Sequence, residues 1–217
     1  MKRLNVKDGV AFALVAATIV LTALVYPQLP ERMATHFDFH GQPNDWMDVR
    51  FGAWLMPAVA LLVWPLIRFA EYLVPKEKRE RARTAPMSTL ALLFAGFLCA
   101  VQLILLGVAL KYPINVTSAV TFLMGLLWIA LAQVLPRTRP NPIVGIRTRH
   151  TLRSEDNWQR THKLAGVLFT LTGIIAMVAA FCAGPLAIFV TLLALIVAAV
   201  VPAVYSRVIA RREQRQR

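Results

Sequence analysis

Six long apolar runs constrain this chain more than any other feature of its sequence. Each run is close to the roughly 20 residues that an α-helix needs to cross the hydrocarbon core of a bilayer. Hydrophobic residues make up 58% of the 217 residues and charged residues 16%, whereas about a quarter of a soluble domain is charged. We therefore predict an all-α, polytopic membrane protein, a bundle of six transmembrane helices. The predicted spans are 10–26, 51–74, 87–110, 116–135, 162–183 and 186–205, with a turn at Gly184 between the last two.

The positions of the basic residues predict how this bundle is oriented. The head, the 75–86 connector, the 136–163 segment and the tail hold 20 Lys and Arg residues, whereas the opposite connectors hold three. Positive charge is enriched on the cytoplasmic side of membrane proteins, so both termini are expected inside the cell. The same distribution explains the net charge of +13 without a nucleic-acid partner, because the cations flank apolar runs.

Residues 136–161, here called the basic loop, form the longest connector and lie on the predicted cytoplasmic side. Pro140 and Gly145 predict a turn, and Ser154 predicts the N-cap of a helix. One interpretation is an anion site for a lipid phosphate or an acidic partner segment; the other is that the cations only set the topology. The candidate binding residues are Asn141, Gly145, Arg147, Thr148, Thr151, Ser154, Trp158, His162 and Lys163.

The connector between the first two spans, on the predicted outer side, contains a second candidate site. His36, Asp38 and His40 alternate, so an extended segment would place all three on one face. Two imidazoles and a carboxylate are ligands for zinc or a similar divalent metal. The alternative is a compact outer loop in which Gly41-Gln-Pro-Asn makes a turn and Trp46 anchors at the membrane interface.

Several residues within or near the spans have two interpretations each. Arg68 and Glu71 lie one helical turn apart, and they either pair with each other or reach the headgroup zone. His162 either titrates near neutral pH or forms a hydrogen bond to a neighbouring helix. Gly125 and Gly173 predict close helix packing, and they also leave a homo-oligomer open.

Two sets of motifs resemble those of a known family. The first comprises Gly145-Ile-Arg-Thr, Thr151-Leu, Ser154-Glu, Trp158 and Thr161-His162-Lys163-Leu-Ala-Gly166. It resembles the signature loop of the SdpI/YfhL family of bacterial membrane proteins, although Arg149 and His150 stand where the family usually has Pro and an aromatic residue. The second set, Leu29-Pro30, Thr35-His36-Phe37, Gly41-x-Pro43 and Trp46, resembles a small domain of unknown function often found ahead of that loop.

The resemblance implies two regions and a location. Residues 1–86 form an N-terminal two-span region with its outer connector at 29–50. Residues 87–217 form an SdpI-like four-span region with its cytoplasmic loop at 136–161. Family members are multi-pass proteins of the bacterial inner (plasma) membrane, where membrane lipids are the first partners to expect.

The resemblance also implies a non-enzymatic protein of the immunity or signal-transducer type. The best-known member protects its producer against a secreted toxin peptide and holds a cytoplasmic repressor at the membrane, so both partners are expected here. Two alternatives remain open. A metal-dependent membrane enzyme would use residues 36–40, although the common catalytic motifs are absent from the sequence. A small-molecule or lipid transporter would have a polar cavity between its spans, where Gln102 is the mid-span hint.

Overall fold

The six predicted spans are helices, and they account for most of the fold. The computed structural model describes residues 4–83, 85–182 and 185–215, and six helices in those ranges are long and apolar enough to cross a membrane. The prediction of six spans is confirmed, whereas the turn expected at Gly184 lies outside the described residues. In chain order the elements are α1 (Val6–Val25), β1 (Arg32–Phe37), β2 (Pro43–Asp48), α2 (Val49–Gly52), α3 (Leu55–Arg68), α4 (Arg79–Ala82), α5 (Met87–Ala109), α6 (Val116–Val134), α7 (Glu155–Ala179) and α8 (Pro185–Arg215).

The second span consists of the short α2 and the longer α3, separated at Ala53 and Trp54. This break leaves the Ala53 carbonyl available to a side chain, and Gln102 Nε2 donates to it at 2.9 Å. The same amide donates to Thr22 Oγ1 of α1 at 3.2 Å. Gln102, on which the transporter alternative depends, is therefore a fully buried residue that joins α1, α5 and the α2–α3 break.

The helices form two groups that meet along α5 and α6. In the first group α1 and α3 pack on α5, and in the second α7 packs between α6 and α8. The backbones of α6 and α7 come close together, because a Cβ on Gly125 would lie 2.6 Å from the carbonyl oxygen of Gly173, and the converse distance is also 2.6 Å. The predicted close packing at these two glycines is confirmed.

The connector between the first two spans folds as a β-hairpin instead of an irregular loop. β1 and β2 are antiparallel, with Ala34 opposite Trp46, and the register shifts directly after Ala34. Met33 is only 1% exposed, because it packs beneath the hairpin against Ala53 and Leu106. Trp46 is about half exposed, and its role as an interfacial anchor stays a prediction. The Met33 contact makes the hairpin an extension of the first helix group.

Candidate functional site

The basic loop is held on α7 by a buried aromatic pair. Trp158 and His162 stack with their ring centroids 4.0 Å apart, and both are fully buried. His162 Nε2 accepts the Ile146 N–H at 3.0 Å, and His162 Nδ1 donates to the Trp158 carbonyl at 2.8 Å. Both ring nitrogens are therefore engaged, with the proton on Nδ1. His162 thus forms hydrogen bonds, but to the loop and to its own helix α7 and not to the neighbouring helix that was expected.

Gly145 allows the loop to pass directly over this pair. Its φ is +114°, and a Cβ at this position would overlap His162 Nε2 and lie 3.2 Å from the Trp158 ring. Glycine alone combines this backbone conformation with so close an approach. The preceding turn is closed by Asn141, whose Oδ1 accepts two loop N–H groups at 2.8 and 3.0 Å. The predicted turn at Gly145 is confirmed.

The other side of the loop is tied to α8. Thr148 Oγ1 lies 2.9 Å from Ser206 Oγ, and Asn157 Nδ2 donates to the Ser206 carbonyl at 2.8 Å. Thr151 Oγ1 accepts the Thr148 N–H at 2.9 Å, and Ser154 caps α7 as predicted. Asn157 and Ser206, which lie 49 residues apart, were not predicted to contribute. The one available signal was that Ser206 is a polar residue ending an apolar run.

The predicted binding residues of the basic loop therefore divide into two sets. Arg147 and Lys163 are exposed, as are Arg149 and Arg153, and the Arg147 guanidinium donates to the Pro142 carbonyl. A phosphate or an acidic partner can approach this cationic set without entering the loop. Whether either set binds a partner stays a prediction. The residues used for contacts within the protein are Asn141, Gly145, Thr148, Thr151, Ser154, Trp158 and His162.

The hairpin does not bring its three candidate metal ligands together. β1 ends at Phe37, so the predicted extended segment through residue 40 is wrong, and only His36 lies on the strand. His36 Nδ1 lies 2.6 Å from Asn44 Oδ1, whereas the Asp38 carboxylate accepts the His40 N–H at 2.9 Å. Within the part of the chain that the structure describes, no three His, Cys, Asp or Glu side chains are placed to hold a metal ion.

The turn of the hairpin instead docks on the start of α6. The Asp38 carboxylate accepts the Gln42 N–H at 2.8 Å, and this bond is the main reason that the pKa of Asp38 lies below its ordinary value. Gly41 has a φ of +79°, and a Cβ there would lie 2.8 Å from Oδ1 of Asn115, the N-cap of α6. Thr117 Oγ1 donates to the Asp38 carbonyl at 3.1 Å. The turn lies at residues 38–41, earlier than the predicted 41–44, because Pro43 and Asn44 belong to β2. It joins the hairpin to the second helix group.

A buried ion pair lies at the opposite end of the first helix group. Arg68 Nε donates to Asp8 Oδ1 at 2.8 Å, and Arg68 is 1% and Asp8 2% exposed. The structure thus pairs Arg68 with Asp8, a partner that neither interpretation of Arg68 named. Glu71 is also buried, and within the described part of the chain its Oε2 has no hydrogen-bond partner. Sequence spacing could not identify Asp8, which is 60 residues from Arg68.

Comparison with known proteins confirms the resemblance found in the sequence. Residues 137–206 match the SdpI/YfhL protein family, and residues 13–61 match a domain of unknown function, DUF1648. The Immunity protein SdpI of Bacillus subtilis (strain 168) is 20% identical over 201 residues, which cover 90% of this chain and 91% of that protein. No solved structure matches. Together with the six spans, these matches identify a multi-pass protein of the bacterial plasma membrane.

Proposed function

We propose that this chain, which carries an SdpI/YfhL segment, protects its cell as an immunity protein against a secreted peptide that attacks the membrane. The observation that carries the proposal is the similarity to the Bacillus subtilis immunity protein over 90% of this chain, which includes both the hairpin and the basic loop. The family relationship favours a non-enzymatic role. Asp38 and His40 lie close together, but among the described residues no third His, Cys, Asp or Glu completes a metal site with them, so the alternative of a metal-dependent enzyme gains no support.

Helix α6 supplies a physical connection for such a role. The hairpin turn contacts Asn115 at the start of α6, and the chain enters the basic loop through the Leu135–Arg137 turn at its end. A peptide that binds the hairpin therefore acts on a helix that also carries the loop. We propose that the hairpin meets the peptide and that the loop responds, which requires a bundle with two arrangements of different affinity for the peptide.

Undocking the hairpin turn is expected to weaken protection. Gly41→Ala places a Cβ on a backbone with positive φ, at a position 2.8 Å from Asn115 Oδ1, so the turn must leave α6 or distort. We expect cells producing this variant to stop growing at a lower concentration of the membrane-active peptide than cells producing the original chain. The measurement is the lowest peptide concentration that inhibits growth.

The matched control for that experiment is Gly9→Ala. A Cβ on Gly9 meets nothing within 4 Å, and its backbone is helical, so protection should be unchanged. Equal protection by Gly41→Ala and Gly9→Ala, at equal amounts in the membrane, would show that hairpin docking has no part in the function.

We further propose that the exposed cations of the basic loop recruit a cytoplasmic repressor through an acidic surface. The double variant Arg147→Glu and Arg149→Glu should lower recruitment more than about tenfold, because juxtaposed like charges cost several kcal/mol. Insertion should be unaffected, since both side chains are exposed. Recruitment is measured as the membrane-bound fraction of cytoplasmic repressors from the same bacterium, each fluorescently tagged in turn.

Lys76→Glu together with Lys78→Glu is the control for charge. This variant makes the same change in net charge at another exposed connector on the same side of the bundle. If both double variants lowered recruitment equally, the attraction would come from the general charge of this face. If the Arg147 and Arg149 variant recruited normally, the basic loop would have no role in binding the repressor.

A further inference from the structure

An apolar cavity of about 690 Å³ separates the two helix groups at the end of the bundle that carries the basic loop. From the first group, it is lined by Ala70 and Leu73, which follow α3, and by Leu90 and Phe94 of α5. The basic loop itself closes the opposite side with residues 143–146. All of the residues that line the cavity are nonpolar. Water gains no hydrogen bonds from side chains in such a space, so an apolar occupant is favoured.

Exposed cations follow three of the lining segments closely in the chain. Arg147 directly follows the lining residue Ile146, and Arg137 lies two residues beyond Leu135, which also lines the cavity. Lys76 lies three residues beyond Leu73 and is exposed as well. An apolar interior beneath a cationic rim matches the two parts of an anionic phospholipid, which are an acyl chain and a negatively charged headgroup.

We propose that this cavity holds one acyl chain of an anionic phospholipid from the leaflet beside the basic loop, with the headgroup phosphate near Arg147 and Arg137. Acyl chains are the apolar molecules that a membrane-spanning bundle meets at the highest concentration. The acyl chain gains dispersion contacts with the cavity walls, and these contacts are missing on every side when the space is empty. The rim cations then select an anionic headgroup over a zwitterionic one.

Such a lipid lies between the loop and the turn at residues 70–73, so it links the second helix group to the first. The inference requires neither a toxin nor a repressor, and it stands on the cavity and its rim alone. A test with purified protein therefore separates its failure from a failure of the proposed immunity function.

The test is native mass spectrometry of the full chain in detergent, with phosphatidylglycerol or phosphatidylcholine added. We expect one phosphatidylglycerol to stay bound. Ala70→Phe fills part of the cavity and should weaken retention about tenfold, the size of a modest steric penalty. Ala119→Phe is the matched control, because it fills the separate cavity of about 610 Å³ between α5, α6 and α7 and should leave retention unchanged.

The headgroup is tested with Arg137→Gln and Arg147→Gln. Each substitution should lower the preference for phosphatidylglycerol about fivefold, as expected for one cation near a membrane surface. Equal retention of both lipids by the original chain would overturn the charge part of the proposal. A second copy of the chain retained in place of the lipid, and lost in Ala70→Phe, would overturn the choice of occupant.

A crosslinking measurement keeps the proposal testable if Ala70→Phe does not fold. Phosphatidylglycerol with a photoreactive group in the middle of one acyl chain is irradiated with the original chain, which is then digested and mapped. Crosslinks should concentrate in residues 66–73 and 143–146. Crosslinks spread evenly over the lipid-facing sides of all helices would show that the cavity holds no specific lipid.

Discussion

Gly145→Ala is expected to lower the free energy of unfolding by about 2–4 kcal/mol, from backbone strain together with the loss of a buried hydrogen bond. Alanine at this position must keep the positive φ, and its Cβ overlaps His162 Nε2. The His162 ring or the loop must then move, and the Ile146 N–H loses its acceptor. The loop should also open, which trypsin detects as faster cleavage after Arg147 and Arg149. Unfolding is followed by denaturant titration in detergent.

Two further variants test whether this loss has the stated cause. Gly96→Ala adds the same methyl group in α5, where nothing lies within 4 Å, and should not destabilise the protein. His162→Ala removes the ring that the new Cβ meets, so Gly145→Ala should destabilise less in that background than in the original chain. Equal effects of Gly145→Ala in both backgrounds would show that contact with His162 is not the cause.

Arg68→Ala is expected to cost about 3–5 kcal/mol, because it leaves the Asp8 carboxylate buried without its cation. Glu71, which is also buried and has an oxygen without a hydrogen-bond partner among the described residues, lies only three residues away. Removing Arg68 therefore leaves the buried Asp8 carboxylate without the cation that compensates its charge. The measurement is again the free energy of unfolding, compared with the original chain.

The chain contains its own control for this prediction. Arg50 Nε donates to Asp48 Oδ1 at 2.9 Å, but both side chains are largely solvent-exposed, so Arg50→Ala should change the stability little. In the Arg68→Ala background, Asp8→Asn should recover part of the lost stability by removing the unpaired charge. An effect of Arg68→Ala no larger than that of Arg50→Ala would contradict the buried pair.

The features that could be predicted from the sequence depend on residues close together in the chain. An apolar run long enough to cross the bilayer forms a span wherever it lies. Ser154 caps α7 by accepting the N–H of Asn157, only three residues on, and Gly145 forms a turn through its own backbone conformation. These local requirements leave few alternatives, so six spans, a helix cap and a turn could all be identified.

The features that were missed depend on contacts between distant segments. The Asp8–Arg68 pair joins α1 to α3, and the hairpin is held by Met33 packing against Ala53 and Leu106. The metal prediction assumed that one strand continued through residue 40. β1 ends at Phe37 instead, because the next residues form the turn that docks on α6. Docking on another helix cannot be seen in a local pattern.

The sequence indicates which residues belong to the basic loop, but not which of them are buried and which are exposed. Arg147 and Thr151 belong to the same motif set, yet Arg147 is exposed and Thr151 is fully buried with both its donor and its acceptor engaged. α8 causes this difference, because its Ser206, which is distant in the sequence, forms a hydrogen bond with Thr148 of the loop. The loop is therefore a folded element with a buried polar side and an exposed cationic side.

The immunity function is tested most directly in Bacillus subtilis cells that lack the Immunity protein SdpI. The cells produce this chain and are exposed to the toxin to which loss of SdpI makes them sensitive, and growth is compared with that of cells carrying an empty vector. The original chain should restore growth, and Gly145→Ala should restore less. Cells that die as fast as the vector control, although the chain is present in their membranes, would contradict the immunity function.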